Sequence, residues 1–375
     1  MNVGLYLHVP FCRARCHFCA FTLQIHREDR VQRYLHALSH EMRLHAGQQS
    51  LAGRRLDTIY FGGGTPTSLS VEQLAGILQN VRDSFGLADA AEISVEAHPD
   101  TVTEDGLRRL AGAGFSRISF GVQSMDDGEL LRIGRPTSGN RTQAAVGMAR
   151  SAGFANINLD LIYGMPGQTL DGWLATLDAV LSLEPAHVSC YALTVEEKTR
   201  LHLDVRRGNA AEPDADLQNE MDDAAAKRLA AAGFTRYEIS NYARPGYACR
   251  HNLLYWHGHD YLGLGPSARS YLGGRRFGNT DSMEDYERIL ERGCLPIAES
   301  ELLSAGQRQR EQVVFGLRLI EGIDQALLRH ELSDRAWQQT LDRLTRRGLL
   351  EECAGRVRLT ETGRRFADSV AAELI

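Results

Sequence analysis

Between residues 3 and 205 the chain alternates short apolar runs with amphipathic segments, and this alternation restricts its fold more than any other feature. In the intervening segments, for example 31–42 and 170–180, apolar residues recur at helical spacing. Strands that alternate with helices form parallel βα units, which predicts the α/β class. Six units are too few for a closed barrel of eight and suit a partial TIM-like barrel, with functional residues at the C-terminal strand ends. The predicted strands are residues 4–9, 58–61, 92–96, 117–122, 156–162 and 187–193.

Three of the seven cysteines lie directly after the first predicted strand, with the spacing C-x3-C-x2-C. Cys12, Cys16 and Cys19 can each bind a different iron of one [4Fe-4S] cubane, which leaves the fourth iron open for chemistry. The side chains of Phe18 and Phe21 would form an apolar shell around such a cluster, and a shell of this kind controls solvent access and redox potential. The spacing therefore predicts an iron–sulfur site near the N-terminus.

Two other kinds of cysteine site stay open on the residues alone. A structural zinc ion requires four ligands, and His8 is the available fourth. Disulfide bonds require an oxidising compartment and even pairing. The remaining cysteines are scattered without a pairing pattern, which is typical of ordinary buried thiols: Cys190, Cys249, Cys294 and Cys353.

The charge and hydropathy of the chain exclude several classes of partner. A net charge of −6 over 375 residues predicts no general attraction to nucleic acid or to an anionic membrane. No apolar run approaches the roughly 20 residues that span a bilayer. The N-terminus lacks the basic start of a signal peptide. We therefore predict a cytoplasmic protein with no membrane span and no nucleic-acid partner.

Polar residues fall at the ends of several predicted strands. Three consecutive glycines, which allow close backbone approach to a ligand, follow the second strand. Glu96 ends the third strand, Gln123 follows the fourth and Asp160 lies in the fifth. Arg135 can pair with a carboxylate, although a solvated arginine at a helix end has the same signature. Any one of these residues is weak support, but at matching strand ends they together predict a binding site.

These motifs resemble the anaerobic coproporphyrinogen III oxidase-like family of the radical S-adenosylmethionine (SAM) superfamily. The resemblance covers essentially the whole chain. It rests on the cysteine motif and on the segments Gly-Gly-Gly-Thr-Pro from 62, Val-Glu-Ala-His-Pro from 95, Phe-Gly-Val-Gln-Ser from 120 and Asn-Leu-Asp-Leu-Ile-Tyr-Gly-Met-Pro-Gly from 158. It implies that SAM binds the open iron and that a partner protein donates an electron. By this resemblance, the residues around the cluster and SAM are Tyr6, Phe18, Phe21, Gly63, Gly64, Thr65, Glu96, Gln123, Arg135 and Asp160.

A second motif, His251-Asn-x-x-Tyr-Trp, resembles the heme chaperone subgroup of this family. Histidine is the commonest axial ligand of heme, so His251 would bind the iron. Tyr255 and Trp256 would stack on the porphyrin, and Arg269 would pair with a propionate. The alternative is a turn whose aromatic residues only pack this region against the barrel.

The C-terminal part of the chain is predicted to be a winged-helix-like module. It would contain helices near 305–319, 324–332 and 335–347 and a hairpin over 349–359. Residues 300–375 carry 12 arginines and 12 acidic residues, so no basic face is expected, and packing or partner docking is favoured over DNA binding. The predicted domains are the barrel over 1–205, a family-specific α+β region over 206–295 and the winged-helix-like module over 296–375.

Three functions compete within the resembled family. Phe21 stands where the oxidases carry a further cysteine, and together with the His251 motif this favours the heme chaperones, which bind heme and deliver it to acceptor proteins. The chain departs from the chaperone pattern at Ala20, where aspartate is usual, and in the stretch 263–270, which lacks a usual histidine. These departures leave open a C-methyltransferase or cyclopropane-forming enzyme, with a second SAM near 263–270, and an oxygen-independent coproporphyrinogen III oxidase. A heme chaperone is the first prediction.

Overall fold

The computed structural model describes residues 3–48, 51, 53–328 and 335–375. Its strands are short and mostly buried, and they are connected by helices through the first half of the chain. The strands are β1 Val3–Val9, β2 Phe11–Cys12, β3 Gln24–Ile25, β4 Leu56–Gly63, β5 Leu87–Ala97, β6 Arg117–Gln123, β7 Asn156–Tyr163, β8 His187–Ala192, β9 Thr235–Arg236, β10 Asn241–Ala243, β11 Asp260–Leu264, β12 Arg269–Leu272, β13 Arg275–Asn279, β14 Ile297–Leu302, β15 Ile323–Asp324, β16 Leu350–Cys353 and β17 Arg356–Leu359.

Local sequence sets where many of the helices begin. Ser70 and Gln73 form a reciprocal capping box, in which each side chain satisfies a backbone N–H at the start of the helix over Val71–Phe85. In the described part of the chain no helix is long and apolar enough to cross a membrane. The helices are α1 Glu28–Ala46, α2 Val71–Phe85, α3 Glu104–Ala113, α4 Asp127–Arg132, α5 Gly139–Ser151, α6 Leu170–Ser182, α7 Arg200–Arg206, α8 Ala215–Ala231, α9 Arg250–Trp256, α10 Met283–Glu291, α11 Ala305–Gly316, α12 Arg335–Arg346, α13 Glu361–Arg365 and α14 Ala367–Leu374.

One sheet of 12 strands organises the molecule, in the order β14-β13-β12-β11-β1-β4-β5-β6-β7-β8-β10-β9. Its centre, from β1 to β8, consists of six parallel strands, so the prediction of six parallel βα units is confirmed. These strands are buried on both faces, as six of the seven residues of β1 illustrate. The C-terminal ends of all six meet at one edge, which is where the predicted polar residues lie.

Strands from the region after residue 206 extend this sheet on both sides. β11 pairs in parallel with β1, and β10 pairs antiparallel with β8. Backbone hydrogen bonding thus makes β11, β12, β13 and β14 part of the same sheet as the barrel strands. The division of residues 1–295 into two domains stays a prediction, and the sheet is continuous across it.

The C-terminal part has its own small sheet, in the order β15-β17-β16, and its own hydrophobic core. Side chains from α11, α12 and β16 meet in that core, among them Val313, Trp337 and Leu350. The predicted helix over 324–332 differs from the structure, in which Asp324 ends β15 and Gln325–Leu328 form a 3₁₀ turn, and residues 329–332 lie outside the described residues. The winged-helix assignment stays a prediction.

Candidate functional site

A cavity of about 680 Å³ opens at the C-terminal ends of the parallel strands. Its size is typical of sites for small molecules and cofactors. The wall is formed by the loop after β2 and by residues at the ends of β4, β5, β6, β7 and β8. Twelve of the predicted site residues line it: Cys12, Cys16, Phe18, Cys19, Phe21, Gly63, Gly64, Thr65, Glu96, Gln123, Arg135 and Asp160.

The loop that carries the cysteines is held at both ends. Cys12 ends β2, which pairs in parallel with β3, and Cys16 and Cys19 lie in the loop between these two strands. Within the loop, the Cys19 N–H donates to the Cys16 carbonyl at 3.3 Å. The loop is also attached to the barrel, because the His17 N–H donates to the carbonyl of Ile133 at 2.9 Å. The three sulfurs therefore face one cavity from a supported turn.

The charges around the sulfurs suit thiolate ligands of a cluster. Burial raises the pKa of the Cys12 and Cys19 thiols, so their thiolates need positive charge nearby. Arg135, a residue that is 8% exposed, supplies this charge, with its Nη1 atom 3.5 Å from the Cys16 sulfur. Within the described residues, no three His, Cys, Asp or Glu side chains are arranged to hold one metal ion. Three thiolates that bind different irons of a cubane need not meet at one point, so the cysteines fit a cluster better than a zinc ion.

The three glycines at the end of β4 and directly after it are required by the protein's own packing. Gly63 has φ +110°, and a Cβ atom there would lie 2.8 Å from the ring of His8. A Cβ atom on Gly64 would lie 2.7 Å from the carbonyl oxygen of Phe11. The turn approaches the cysteine strand closely enough for the Thr65 N–H to donate to that same oxygen at 2.7 Å. The glycines thus allow the turn to lie against β2 and to place Thr65 beside Cys12, whose sulfur is 3.4 Å from the Thr65 hydroxyl.

Two carboxyl groups, those of Glu96 and Asp160, line the cavity with different hydrogen-bond partners. Asp160 accepts hydrogen bonds from Ser119 Oγ at 2.7 Å and from Asn158 Nδ2 at 2.8 Å. Glu96 accepts one from the Tyr60 hydroxyl at 2.9 Å. Burial, and then the charge of Asp160, raise the pKa of Glu96 to about 8. Glu96 is therefore largely protonated near pH 7 and can become charged when a cation enters the cavity.

A bulge at the end of β6 directs Gln123 toward the cavity. The register of β6 against β7 shifts between Gly121 and Gln123, and Gln123 has φ +68°. Gly121 leaves room here, since a Cβ atom on it would lie 2.8 Å from Arg135 Nη2 and 3.0 Å from Gln123 Nε2. Arg135 also donates a hydrogen bond to the Gly121 carbonyl. The bulge thus holds an amide and a guanidinium side by side on the wall.

Tyr6 lies behind the wall instead of on it. Its hydroxyl is 3.1 Å from His8 Nδ1, and its ring stacks on Tyr60 with a centroid distance of 6.3 Å. Tyr60 lines the cavity, whereas Tyr6 is not among the described residues that line it. The structure therefore places Tyr6 as a support for Tyr60.

His251 is inside the barrel, away from the cavity wall. The ring is 1% exposed and stacks on Tyr60. Both ring nitrogens are engaged, Nδ1 with Thr58 Oγ1 at 2.7 Å and Nε2 with the Tyr255 hydroxyl at 2.8 Å. Burial, followed by the charge of Arg117, lowers the pKa of His251 to about 3. An axial heme ligand needs a free ring nitrogen, which this conformation does not offer, so heme ligation by His251 stays a prediction.

The other predicted heme contacts are also engaged elsewhere. Tyr255 packs edge-on against Tyr261 at 4.6 Å, and the guanidinium of Arg318 lies 4.9 Å from the ring centre of Trp256. Arg269 forms an ion pair with Glu299 on the outer strands. In the described structure neither these residues nor the stretch 263–270 lines the cavity, so the geometry supports neither heme contacts nor a second SAM site there.

Comparisons with known proteins agree with this architecture. The family model for the radical SAM superfamily matches residues 6–180, and the model for the HemN C-terminal domain matches residues 303–366. The heme chaperone HemW of Mycobacterium tuberculosis is 40% identical over 99% of this chain and 94% of its own length. The chain belongs to the HemW family of radical SAM proteins. HemW of Bacillus subtilis is 34% identical over 97% of each chain.

Among solved structures, coproporphyrinogen III oxidase (HemN) of Escherichia coli superposes with a TM-score of 0.86. The two share 24% identity, and the match covers 100% of this chain and 90% of that one, so it shows the fold alone. Membership of the radical SAM superfamily implies a [4Fe-4S] cluster and SAM as cofactors.

The cavity residues that the sequence prediction missed include Tyr60, His98 and Tyr191. Tyr60 lies two residues before the glycine run, and His98 lies within the quoted segment Val-Glu-Ala-His-Pro, so both had a signal in the neighbouring motif. Tyr191 lies near the end of β8 and is 40% exposed. The strand pattern does not show that its side chain lines the cavity.

Proposed function

We propose that this protein is a heme chaperone that holds a [4Fe-4S] cluster and SAM in the cavity and passes heme to acceptor proteins. The main support for this proposal is the similarity to HemW proteins over nearly the full chain. The three cysteines on the wall of a cavity of suitable size support it further. The competing alkylating and oxidase functions have no comparable support, since the stretch proposed for a second SAM does not line the cavity among the described residues.

In this proposal Cys12, Cys16 and Cys19 hold the cluster. Arg135 lowers the cost of keeping the thiolates charged, because its guanidinium already contacts the Cys16 sulfur. Phe18 lies on the cavity wall, where it would limit the access of water to the metal. When bound, the cluster supplies an electron to SAM, and a redox partner protein would replace that electron.

The carboxyl groups and the glycine turn would hold SAM. Glu96 can lose its proton when the ammonium group of SAM approaches, because a positive charge favours the carboxylate. Asp160 and Gln123 offer an acceptor and a donor for ribose hydroxyls. The strand-end position of these side chains keeps them in place, since each is anchored to a buried parallel strand.

For heme, the apolar mouth of the cavity is the favoured location. Phe21 is 64% exposed and Tyr191 is 40% exposed, and both line the cavity. Exposed aromatic side chains beside a cavity suit stacking against a flat macrocycle. Heme ligation by His251 stays a prediction, and it requires the ring to leave Thr58 and Tyr255.

Anaerobic reconstitution followed by hemin titration tests this function. We expect the reconstituted protein to show a saturable shift of the Soret band and to transfer heme to apomyoglobin. A protein without hemin binding that releases methylated or decarboxylated products from SAM-dependent reactions would contradict the proposal. The matched control is the cluster-free protein, which separates heme binding from cluster assembly.

A further inference from the structure

His98 presents a hydrogen-bond donor to the cavity. It precedes the 3₁₀ turn over Pro99–Thr101, and its side chain lines the cavity wall. Nδ1 accepts a hydrogen bond from the Asp100 N–H at 3.1 Å. A neutral imidazole that accepts at one ring nitrogen carries its proton on the other, so Nε2 is the N–H donor.

This donor has no acceptor in the described part of the protein. The polar contacts of the His98 ring all involve Nδ1, which lies 3.1 Å from the Asp100 N–H and 3.7 Å from Asp100 Oδ2. The side chain is nevertheless only 18% exposed, so most of its surface is covered. Because the ring lines the cavity, an acceptor on a bound ligand can meet this N–H group.

The charges around His98 indicate what kind of acceptor it meets. Burial, followed by the charge of Arg135, lowers the pKa of His98 to about 4, so the ring is neutral near pH 7. Arg13 and Arg135 both act on this ring and both line the cavity. Asp100, the nearest carboxylate, is already paired with Arg141 at 2.7 Å. A wall with two guanidinium groups and a neutral N–H donor favours an anion.

We propose that His98 is a positioning residue whose Nε2–H donates a hydrogen bond to an anionic acceptor in the cavity. That acceptor is a sulfide of the iron–sulfur cluster or a carboxylate oxygen of SAM, both of which are negatively charged acceptors. The inference rests on the proposed function, because it needs these two cofactors in this cavity.

Two substitutions separate the donor from the capping role of the same ring. In His98→Asn, the short side chain keeps an oxygen near the position of Nδ1, where it can accept from the Asp100 N–H, and the Nε2 donor is lost. In His98→Gln, the longer side chain places an amide N–H near the position of Nε2 and gives up the cap. A purely structural role predicts that Gln is the more damaging change, whereas the proposed role predicts that Asn is.

The experiment compares wild type and both variants after anaerobic reconstitution, with iron content and thermal melting as checks. The reduction potential of the cluster is measured without SAM, and the affinity for SAM is measured by titration of the reduced cluster. If the acceptor is a cluster sulfide, His98→Asn lowers the potential, because hydrogen bonds to sulfur stabilise the reduced cluster. If it is the SAM carboxylate, His98→Asn weakens SAM binding about tenfold and leaves the SAM-free potential unchanged. In either case His98→Gln stays closer to wild type.

The inference is overturned if His98→Asn changes neither quantity, or if His98→Gln shows the larger effect. A failure of the proposed function would give a different result. Wild type itself would then assemble no cluster or bind no SAM, and the role of His98 would be refuted with it.

Discussion

The hydroxyl group of Tyr60 donates a hydrogen bond to Oε1 of Glu96 at 2.9 Å, between the neighbouring parallel strands β4 and β5. Glu96 is largely neutral near pH 7, because burial and the charge of Asp160 raise its pKa to about 8. The phenol thus holds a carboxyl group in place before that group becomes charged. A cation that enters the cavity would gain a carboxylate partner without a movement of the side chain.

We expect the pH dependence of folding to report this group. The folded pKa of Glu96, about 8, lies above its ordinary value of 4.5, so the folded protein retains a proton that the unfolded chain releases. Glu96 therefore lowers the stability of the cofactor-free protein progressively as the pH rises from 4.5 to about 8. Urea unfolding of wild type and Glu96→Gln at pH 5 and pH 8 measures this effect.

In Glu96→Gln the loss of stability between these two pH values should be smaller than in wild type, by about 1 kcal/mol or more. Glu41, another buried acid with a raised pKa, is unchanged in both proteins and cancels in the comparison. Identical pH profiles for the two proteins would show that Glu96 is ionised in the folded state.

Removal of one cluster cysteine should abolish cluster assembly. Substitution of residues that merely support a metal ligand costs about 10–100-fold in affinity, so loss of the ligand in Cys16→Ala should exceed that range. Iron analysis and the visible absorption after anaerobic reconstitution measure the result. Cys294→Ala is the matched control, because Cys294 is exposed and does not line the cavity. Full iron in Cys16→Ala would refute the assigned ligand.

The glycine turn should tolerate no side chain at Gly63. The residue has φ +110°, and a Cβ atom would lie 2.8 Å from His8. We expect Gly63→Ala to destabilise the protein by about 1–3 kcal/mol in urea unfolding. Gly76→Ala is the control, since Gly76 lies in α2 with no atom within 4 Å of a new Cβ. It should stabilise the protein by about 0.5–1 kcal/mol, and equal effects at both positions would contradict the packing argument.

Truncation of the aromatic side chain at the cavity mouth should weaken heme binding. Phe21→Ala removes a ring that is 64% exposed, so it should leave the fold intact. The loss of one stacking contact predicts about a threefold to tenfold lower affinity in a hemin titration followed at the Soret band. Leu302→Ala, which removes a similarly exposed apolar side chain from β14 outside the cavity, should have no effect. Equal losses in the two variants would indicate non-specific adsorption.

Much of the barrel could be predicted because its signals are local. Runs that are buried on both faces mark the parallel strands, and polar residues directly after those runs mark the open edge of the sheet. As predicted, the side chains that line the cavity include Cys12, Glu96 and Asp160. The role of His98 was not predicted, because the direction of a ring and the partner of each nitrogen depend on the turn over Pro99–Thr101.

The amino-acid sequence alone determined the βα order, the spacing of the three cysteines and the glycines of the turn, because each follows from residues that are close together in the chain. Only the tertiary structure decided the surroundings of His251, since its partner Thr58 lies 193 residues away. β11, which follows the helix of His251, pairs with β1, and β1 pairs with β4, the strand that carries Thr58. Local motifs carry no information on such long-range pairing, and for this reason a motif that resembles a heme ligand proved in this conformation to be part of the barrel's interior.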